Sequence, residues 1–248
     1  MTIRTGIGGW VYPPWRGGTF YPPDLAQKQE LAFASRAVGA IEINATFHRL
    51  QKPDSFRHWR DAVPPGFIFT LKGSRYVTNR KVLASAGESI GKFMEQGIAE
   101  LGDHLGPICW QLATTKKFQA EDMAAFLALL PRELAGRELR HAIEVGHESF
   151  ACTQFIDLAR AAGIAIVWSE HPDRARIPDR TAPFAYLRCQ DMKSDCPTGY
   201  EPAGLDRLRV MCGEWGTQGD VFAFMINGAK ERAPAAAIAL AQLLEETR

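Results

Sequence analysis

The chain is short of the features that would assign a protein at sight. No apolar run reaches the roughly 18 residues that a membrane span needs. Met1-Thr2-Ile3-Arg4-Thr5 leads straight into a strand-like run with no apolar signal core. A soluble, cytoplasmic protein with no membrane partner is the expectation. The five cysteines, Cys109, Cys152, Cys189, Cys196 and Cys212, are odd in number and scattered, with no C-x-x-C pair. That pattern argues against a disulfide framework and against a zinc site. Neither sign of charge dominates. A net charge of +1 gives no field to steer a polyanion, so bulk nucleic-acid binding is unsupported and only a local basic patch is left open. Gly6-Ile7-Gly8-Gly9 is glycine-rich without being a dinucleotide fingerprint. No linker, low-complexity tract or repeat divides the chain, so residues 1–248 read as one domain. Nothing in the composition names a cofactor or sets an oligomeric state.

What is present is an alternation. At 248 residues, 46% hydrophobic and 23% charged, the chain has the size and balance of one soluble α/β barrel. Strand-like runs recur at residues 3–8, 40–44, 67–72, 108–112, 141–145, 165–168, 184–188 and 221–227. Helical stretches fall at 28–38, 55–62 (with Asp54 as N-cap), 88–101, 120–130, 150–162, 205–212 and 235–246. Gly102 and Gly163 mark helix exits. Strands alternating with helices predict a parallel sheet, and eight of them predict closure into a (β/α)8 TIM-type barrel. The long irregular connections, 10–27 and 188–204, belong to the same end of it.

The second run is the most telling. Ile41 and Ile43 put β-branched aliphatics on one face, while Glu42 and Asn44 put a carboxylate and a carboxamide on the other. Such a strand suits a barrel only if the polar pair points to a polar place. Side chains of a barrel strand alternate between interior and helix layer, so the last inward residue of each strand rims the C-terminal mouth, where barrel enzymes place their chemistry. This parity selects Gly8, Glu42, Asn44, Lys72, Gln111, Glu144, Arg188 and Asn227. It sends Ile41, Ile43, Phe69, Leu71, Leu112, Ile143 and Leu187 to the helices.

These residue types suggest chemistry. Lys72 is either a desolvated amine fit for proton transfer or a Schiff base, or the partner of Glu42 or Glu144 in a buried ion pair. Glu42 and Glu144 are an acid/base pair, or ligands of a divalent cation together with His147, or counter-charges to Lys72 and Arg188. Arg188 can clamp a phosphate or carboxylate. Asn227-Gly228-Ala229-Lys230 follows the eighth strand, where barrels often hold phosphate, or is a plain left-handed turn. Trp10, Tyr12, Trp15, Phe20 and Tyr21 crowd the first loop, and packing favours a rigid lid over a stacking platform. The candidate ligand contacts are Trp10, Asn44, Gln111, His147, Arg188 and Asn227. His48, His58 and His104 lack partner spacing and read as surface or helix-face residues, and Trp59 as helix–barrel packing.

A set of segments resembles a known family: Gly8-Gly9-Trp10 with Trp15 and Phe20-Tyr21-Pro22, then Glu42-Ile43-Asn44-Ala45-Thr46-Phe47 and residues 67–72. Gly106-Pro107 before Gln111-Leu112, Glu144 with His147, and Phe184-Ala185-Tyr186-Leu187-Arg188 complete it. In that order, over nearly the whole chain, they resemble the DUF72, or YecE-like, proteins. The resemblance implies a TIM-type barrel and no established activity. Against the family pattern, His48 stands for a tyrosine, Asn79 and Gln190 for histidines, and Gly146 for an arginine. Those departures imply a different ligand or a partial loss of activity. The expected function is an enzyme acting on a small polar, anionic or phosphorylated substrate. Glu42 and Glu144 would do acid/base work, Lys72 would stabilise charge, and Arg188 and Asn227 would orient the substrate. The alternatives are a non-catalytic ligand- or nucleic-acid-binding or regulatory barrel, and a Lys72 Schiff-base lyase.

Overall fold

The computed structural model describes residues 1–246. Eight parallel strands form the frame: β1 Ile3–Gly8, β2 Ala40–Ile43, β3 Ile68–Lys72, β4 Leu105–Gln111 and β5 His141–Glu144, then β6 in two pieces, Ala165–Ile166 and Trp168–Ser169, β7 Phe184–Cys189 and β8 Asp220–Met225. β1 pairs with both β2 and β8. The first piece of β6 pairs with β5 and the second with β7, so the circuit closes through a strand broken at Val167. The break has a local cause. The Ile166 N–H donates to the Thr181 hydroxyl (3.0 Å), which donates in turn to the Ile164 carbonyl (2.6 Å). A side chain thus takes the place of β7 beside the first half of β6, where a single strand over 165–168 was expected.

The parity read from sequence holds for most strands. Ile41, Ile43, Phe69, Leu71, Leu112, Ile143 and Leu187 all pack in the outer core between sheet and helices. The interior is filled by Ala40, Ile68, Cys109, Tyr186, Phe224 and their neighbours. Two strand ends differ. β2 stops at Ile43, and Asn44 (φ −87°, ψ −16°) opens a single helical turn, Ala45–His48. β8 stops at Met225 with Phe222, Phe224 and Ile226 inward, so Asn227 is out of phase and sits in a left-handed turn at φ +55°. Asn and Asp tolerate that region better than other residues with a side chain.

The helices of eight residues or more are α1 Glu30–Ala37, α2 Pro53–Asp61, α3 Gly87–Glu95, α4 Ala120–Leu129, α5 Thr153–Ala162, α6 Pro202–Gly216 and α7 Ala233–Glu245. α2 begins with Pro53, which needs no N–H partner at a first turn. Lys52 therefore holds the cap position, and Asp54, expected there, lies inside the first turn and pairs with Arg57. The stretch expected to be one helix over 88–101 breaks at Gly97 (φ +107°). A Cβ there would lie 2.7 Å from Pro53 Cα, so only glycine lets α2 approach. A 3₁₀ segment, Ile98–His104, follows, and Gly102 is a kink within it rather than an α-helix exit. Gly163 does close α5 (φ +67°). No helix among the described residues is long and apolar enough to cross a membrane.

The end of β3 is held from behind. A Cβ on Gly73 would lie 2.2 Å from Trp110 Cε3. That indole is fixed by donating to His141 Nδ1 (3.1 Å), whose other nitrogen donates to the Pro131 carbonyl (2.7 Å). Gly73→Ala is expected to lower stability by about 1–3 kcal/mol through overpacking against a ring that cannot yield. Urea denaturation measures it, and an unchanged midpoint would show that the ring has room to move.

Candidate functional site

β7 carries Arg188 to the mouth, where it is 3% exposed between two carboxylates with no exposure, Glu42 from β2 and Glu144 from β5. Its Nη1 donates to Glu144 Oε2, and its Nη2 to Glu42 Oε1 (3.1 Å). Glu42 Oε2 accepts from the Tyr186 hydroxyl (2.7 Å), which accepts in turn from Thr70 (2.9 Å). Glu144 Oε2 also accepts from Gln111 Nε2 (2.5 Å), while its Oε1 lies 3.5 Å from Arg174 Nε. Burial would raise the Glu144 carboxyl, but the charges of Arg188 and then Arg174 outweigh it and hold it below the usual carboxylate range. Burial also acts to lower Arg188, yet Glu144 and Glu42 lift it above its ordinary value. Burial, then the Glu42 charge, push the Tyr186 phenol well up, so it remains a protonated donor.

Lys72 stands in front of this cluster and outside it. Its carbonyl accepts from the Thr46 hydroxyl (2.7 Å), which ties the end of β3 to the turn after β2. Its ammonium lies 4.4 Å over the Phe47 ring. Among the described residues it has no hydrogen bond or ion pair: the pair considered with Glu42 or Glu144 does not form, because Arg188 has taken both. Burial, then the repulsion of Arg188, lower its pKa.

A cavity of about 360 Å³ opens over these groups. Asn44, His48, Lys72, Arg188, Asn227 and Lys230 stand in its wall, and no carboxylate does. Lys230 rests 4.7 Å over Tyr12 and 5.7 Å over Trp15, and burial lowers its pKa. The first loop is packed as a lid. Trp15 and Tyr21 are buried, the Trp15 indole donates to the Lys230 carbonyl (2.9 Å), and Tyr21 donates to the Trp10 carbonyl (2.6 Å). Trp10 meets Trp59 edge-on at 5.5 Å and still borders the cavity.

The remaining expected residues divide. Gln111 braces Glu144 from outside the cavity wall. Asn227 reaches the wall and donates to Gln190 Oε1 (2.6 Å), which is anchored on Ser169 (2.9 Å). His147 is elsewhere: its Nδ1 accepts the Ser149 N–H (3.1 Å) and caps a 3₁₀ turn, Glu148–Phe150. Among the described residues no three His, Cys, Asp or Glu side chains gather as a metal set, so Glu42, Glu144 and His147 do not form the cation site considered. His48 is exposed, as expected of a surface residue, but at the cavity.

Sequence reasoning missed Tyr186, Arg174 and Glu170. Tyr186 is inward by the same parity as Arg188, one layer deeper. Arg174 comes from an irregular loop with no periodicity to flag it, and also donates to the Leu112 carbonyl (3.2 Å). A Cβ on Gly146 would lie 2.4 Å from Thr114 Cα, and the second guanidinium near Glu144 is that of Arg174. Glu170, also buried, accepts from the Gln190 N–H (3.0 Å), the Tyr200 hydroxyl (2.6 Å) and Arg207 (3.0 Å) and pins the loop after β7.

A family profile described as "Protein of unknown function DUF72" matches residues 4–248. Solved structures agree in fold. A DUF72 family protein from Thermotoga maritima superposes with a TM-score of 0.80 at 21% identity, covering 99% of this chain and 100% of the other. One from Enterococcus faecalis gives 0.78 at 16%, covering 98% and 96%. A structure titled SacUVDE gives 0.54 at 12%, covering 98% and 99%. No curated protein matches.

Arg188→Met would leave Glu42 and Glu144 buried without their shared cation, at an expected cost of about 3–5 kcal/mol. The sign of its pH dependence is fixed. In the native protein Glu144 is depressed, so its contribution is present above the unfolded carboxylate value near 4.3 and is lost as acid protonates it. Without Arg188, burial raises the folded Glu144 carboxyl, and the penalty is relieved as pH falls. Denaturation at pH 7 and pH 5 should therefore show a narrowing gap between variant and native protein; a constant gap would refute the ionised cluster.

Proposed function

The chain belongs to the DUF72 family, and from its site we propose that it binds a small anionic molecule, bearing carboxylate or phosphate, at the barrel mouth and acts on it through Lys72. One observation carries this reading: the mouth cavity is walled by Lys72, Arg188, Lys230 and His48 and by no acidic residue. Its volume falls within the roughly 300–1,000 Å³ of small-molecule pockets. Asn44 and Asn227 add neutral polar groups that can orient a ligand.

The acid/base role moves away from the carboxylates. Glu42 and Glu144 have no exposed surface, three of their four oxygens accept hydrogen bonds from Arg188, Tyr186 and Gln111, and the fourth, Glu144 Oε1, is buried facing Arg174 at 3.5 Å. A group that exchanges a proton with a ligand must come within hydrogen-bond reach of it. Lys72 can. Its lowered pKa leaves more free amine at a given pH than an ordinary lysine has, which suits proton abstraction or addition to a carbonyl. In the second case Nζ adds to the carbonyl carbon and water leaves, with the anionic end of the ligand held by Lys230.

Melting against sugar phosphates, nucleotides and carboxylic acids tests the binding. A ligand at a hundred times its dissociation constant adds about 2.7 kcal/mol. One class should raise the melting temperature, and the rise should vanish in Lys230→Met. No Lys230-dependent shift with any class would defeat the proposal. Borohydride treatment with carbonyl-bearing members of that class separates roles for Lys72. A mass adduct lost in Lys72→Met marks the carbonyl route, whereas unimpaired turnover in Lys72→Met would remove the amine from the chemistry altogether.

A further inference from the structure

We propose that the cleft between the loop after β3 and the loop after β4 is a second anion site, shaped for an oligophosphate group of a small molecule. It encloses about 480 Å³ and is walled in part by Arg80, Lys81, Lys116 and Lys117, with no carboxylate in the wall. The site is distinct from the mouth cavity, with which it shares no wall residue.

Each cation is prepared differently. Arg80 is fixed by neutral acceptors: its Nε donates to the Tyr76 carbonyl (2.9 Å), Nη2 to Ser89 (2.9 Å) and Nη1 to Ser85 (3.4 Å). The guanidinium is thereby held by neutral acceptors and has no ion pair among the described residues, with Glu88 near enough to feel its charge. Lys116 donates to the Lys81 carbonyl (2.6 Å) and pairs with Asp122 (2.8 Å). Asp122 in turn accepts the Ala84 N–H (2.8 Å), so the two loops are stitched into fixed walls. Lys81 and Lys117 are exposed, and their ammonium groups have no hydrogen bond or ion pair among the described residues. Thr78, 1% exposed and also in the wall, has a hydroxyl with no hydrogen-bond partner.

The choice of ligand follows from what the wall holds and omits. Three cations without a carboxylate partner, on two separate loops, exceed what one monovalent anion requires. The wall contains no aromatic side chain on which a base could stack, which disfavours a nucleic-acid strand and favours linked phosphates themselves. The oligophosphate can be free or the charged end of a larger molecule.

Calorimetric titration of the full chain with orthophosphate, pyrophosphate and tripolyphosphate at matched ionic strength tests this. Tripolyphosphate should bind at least about tenfold more tightly than orthophosphate and weaken by about tenfold or more in Lys81→Ala/Lys117→Ala. Neither side chain holds any structure, so the double variant should melt like the native protein. Lys230→Met, which alters only the mouth, should keep the part of tripolyphosphate binding that Lys81→Ala/Lys117→Ala removes, so this proposal and the mouth reading fail separately. Native affinity in the double variant would overturn the cleft site, as would loss of tripolyphosphate in Lys230→Met alone. A charge-matched single-stranded oligonucleotide binding more tightly than tripolyphosphate, and lost in the double variant, would reassign the cleft to nucleic acid and overturn the oligophosphate assignment.

Discussion

The mouth of this barrel is ordered by one buried guanidinium. Two carboxylates with no access to water cannot both stay ionised without a cation between them. Arg188 is that cation, and its planar fork reaches both at once. Such a cluster is weak evidence for net stability, since desolvation offsets most of its attraction. What it determines is allocation. Because Glu42 and Glu144 are committed to Arg188, with Arg174, Tyr186 and Gln111 filling further valences, no acid remains for Lys72. A lysine kept half-buried without a counter-ion is the product of that allocation, in a network where Glu144 Oε1 and Arg188 Nε also lack a hydrogen-bond partner.

Allocation also explains how a nearly neutral chain can present two cationic clefts. Net charge is a sum, and +1 describes the whole surface without describing any part of it. Acids at the mouth are turned inward, where cations in the barrel neutralise them. Acids on the helices stand beside basic neighbours, as Asp54 does with Arg57, Glu88 with Lys92, and Asp157 with Arg160. Pairs that exposed contribute little to stability, yet they cancel field locally. Cleft walls without acids are left as the places where positive potential persists and is focused by low-dielectric surroundings.

Much of this was legible because strand geometry has period two. The alternation in Ile41-Glu42-Ile43-Asn44 places Glu42 inward, and the same count places Lys72, Glu144 and Arg188. The count fails where the strand does. β8 ends at Met225, so Asn227 arrives at the rim through a left-handed turn rather than by parity. Considering only the last inward residue overlooked Tyr186, one layer below Arg188. Arg174 and His147 were beyond reach for a different reason. Both lie on irregular backbone, where the direction of a side chain depends on contacts far away in sequence, such as Arg174 with Leu112. Pairing was equally hidden: a formula of two acids and two cations at strand ends does not say which cation takes both.

The position of Lys72 depends on residues with little chemistry of their own. Gly73 lets the backbone lie against the Trp110 ring, and Thr46 holds the Lys72 carbonyl from the turn after the neighbouring strand. Phe47, on the same turn as Thr46, supplies the face on which the ammonium rests. The segment of residues 42–47 therefore contributes twice. Its glutamate goes inward to Arg188, and its threonine and phenylalanine go sideways to Lys72. A single strand end followed by one helical turn sets both the buried charge cluster and the unpaired amine above it. That dual use gives a physical reason for the combination of carboxylate, small hydroxyl and aromatic ring at this spacing: removing any one of them would disturb the charge or the location of the group next to it.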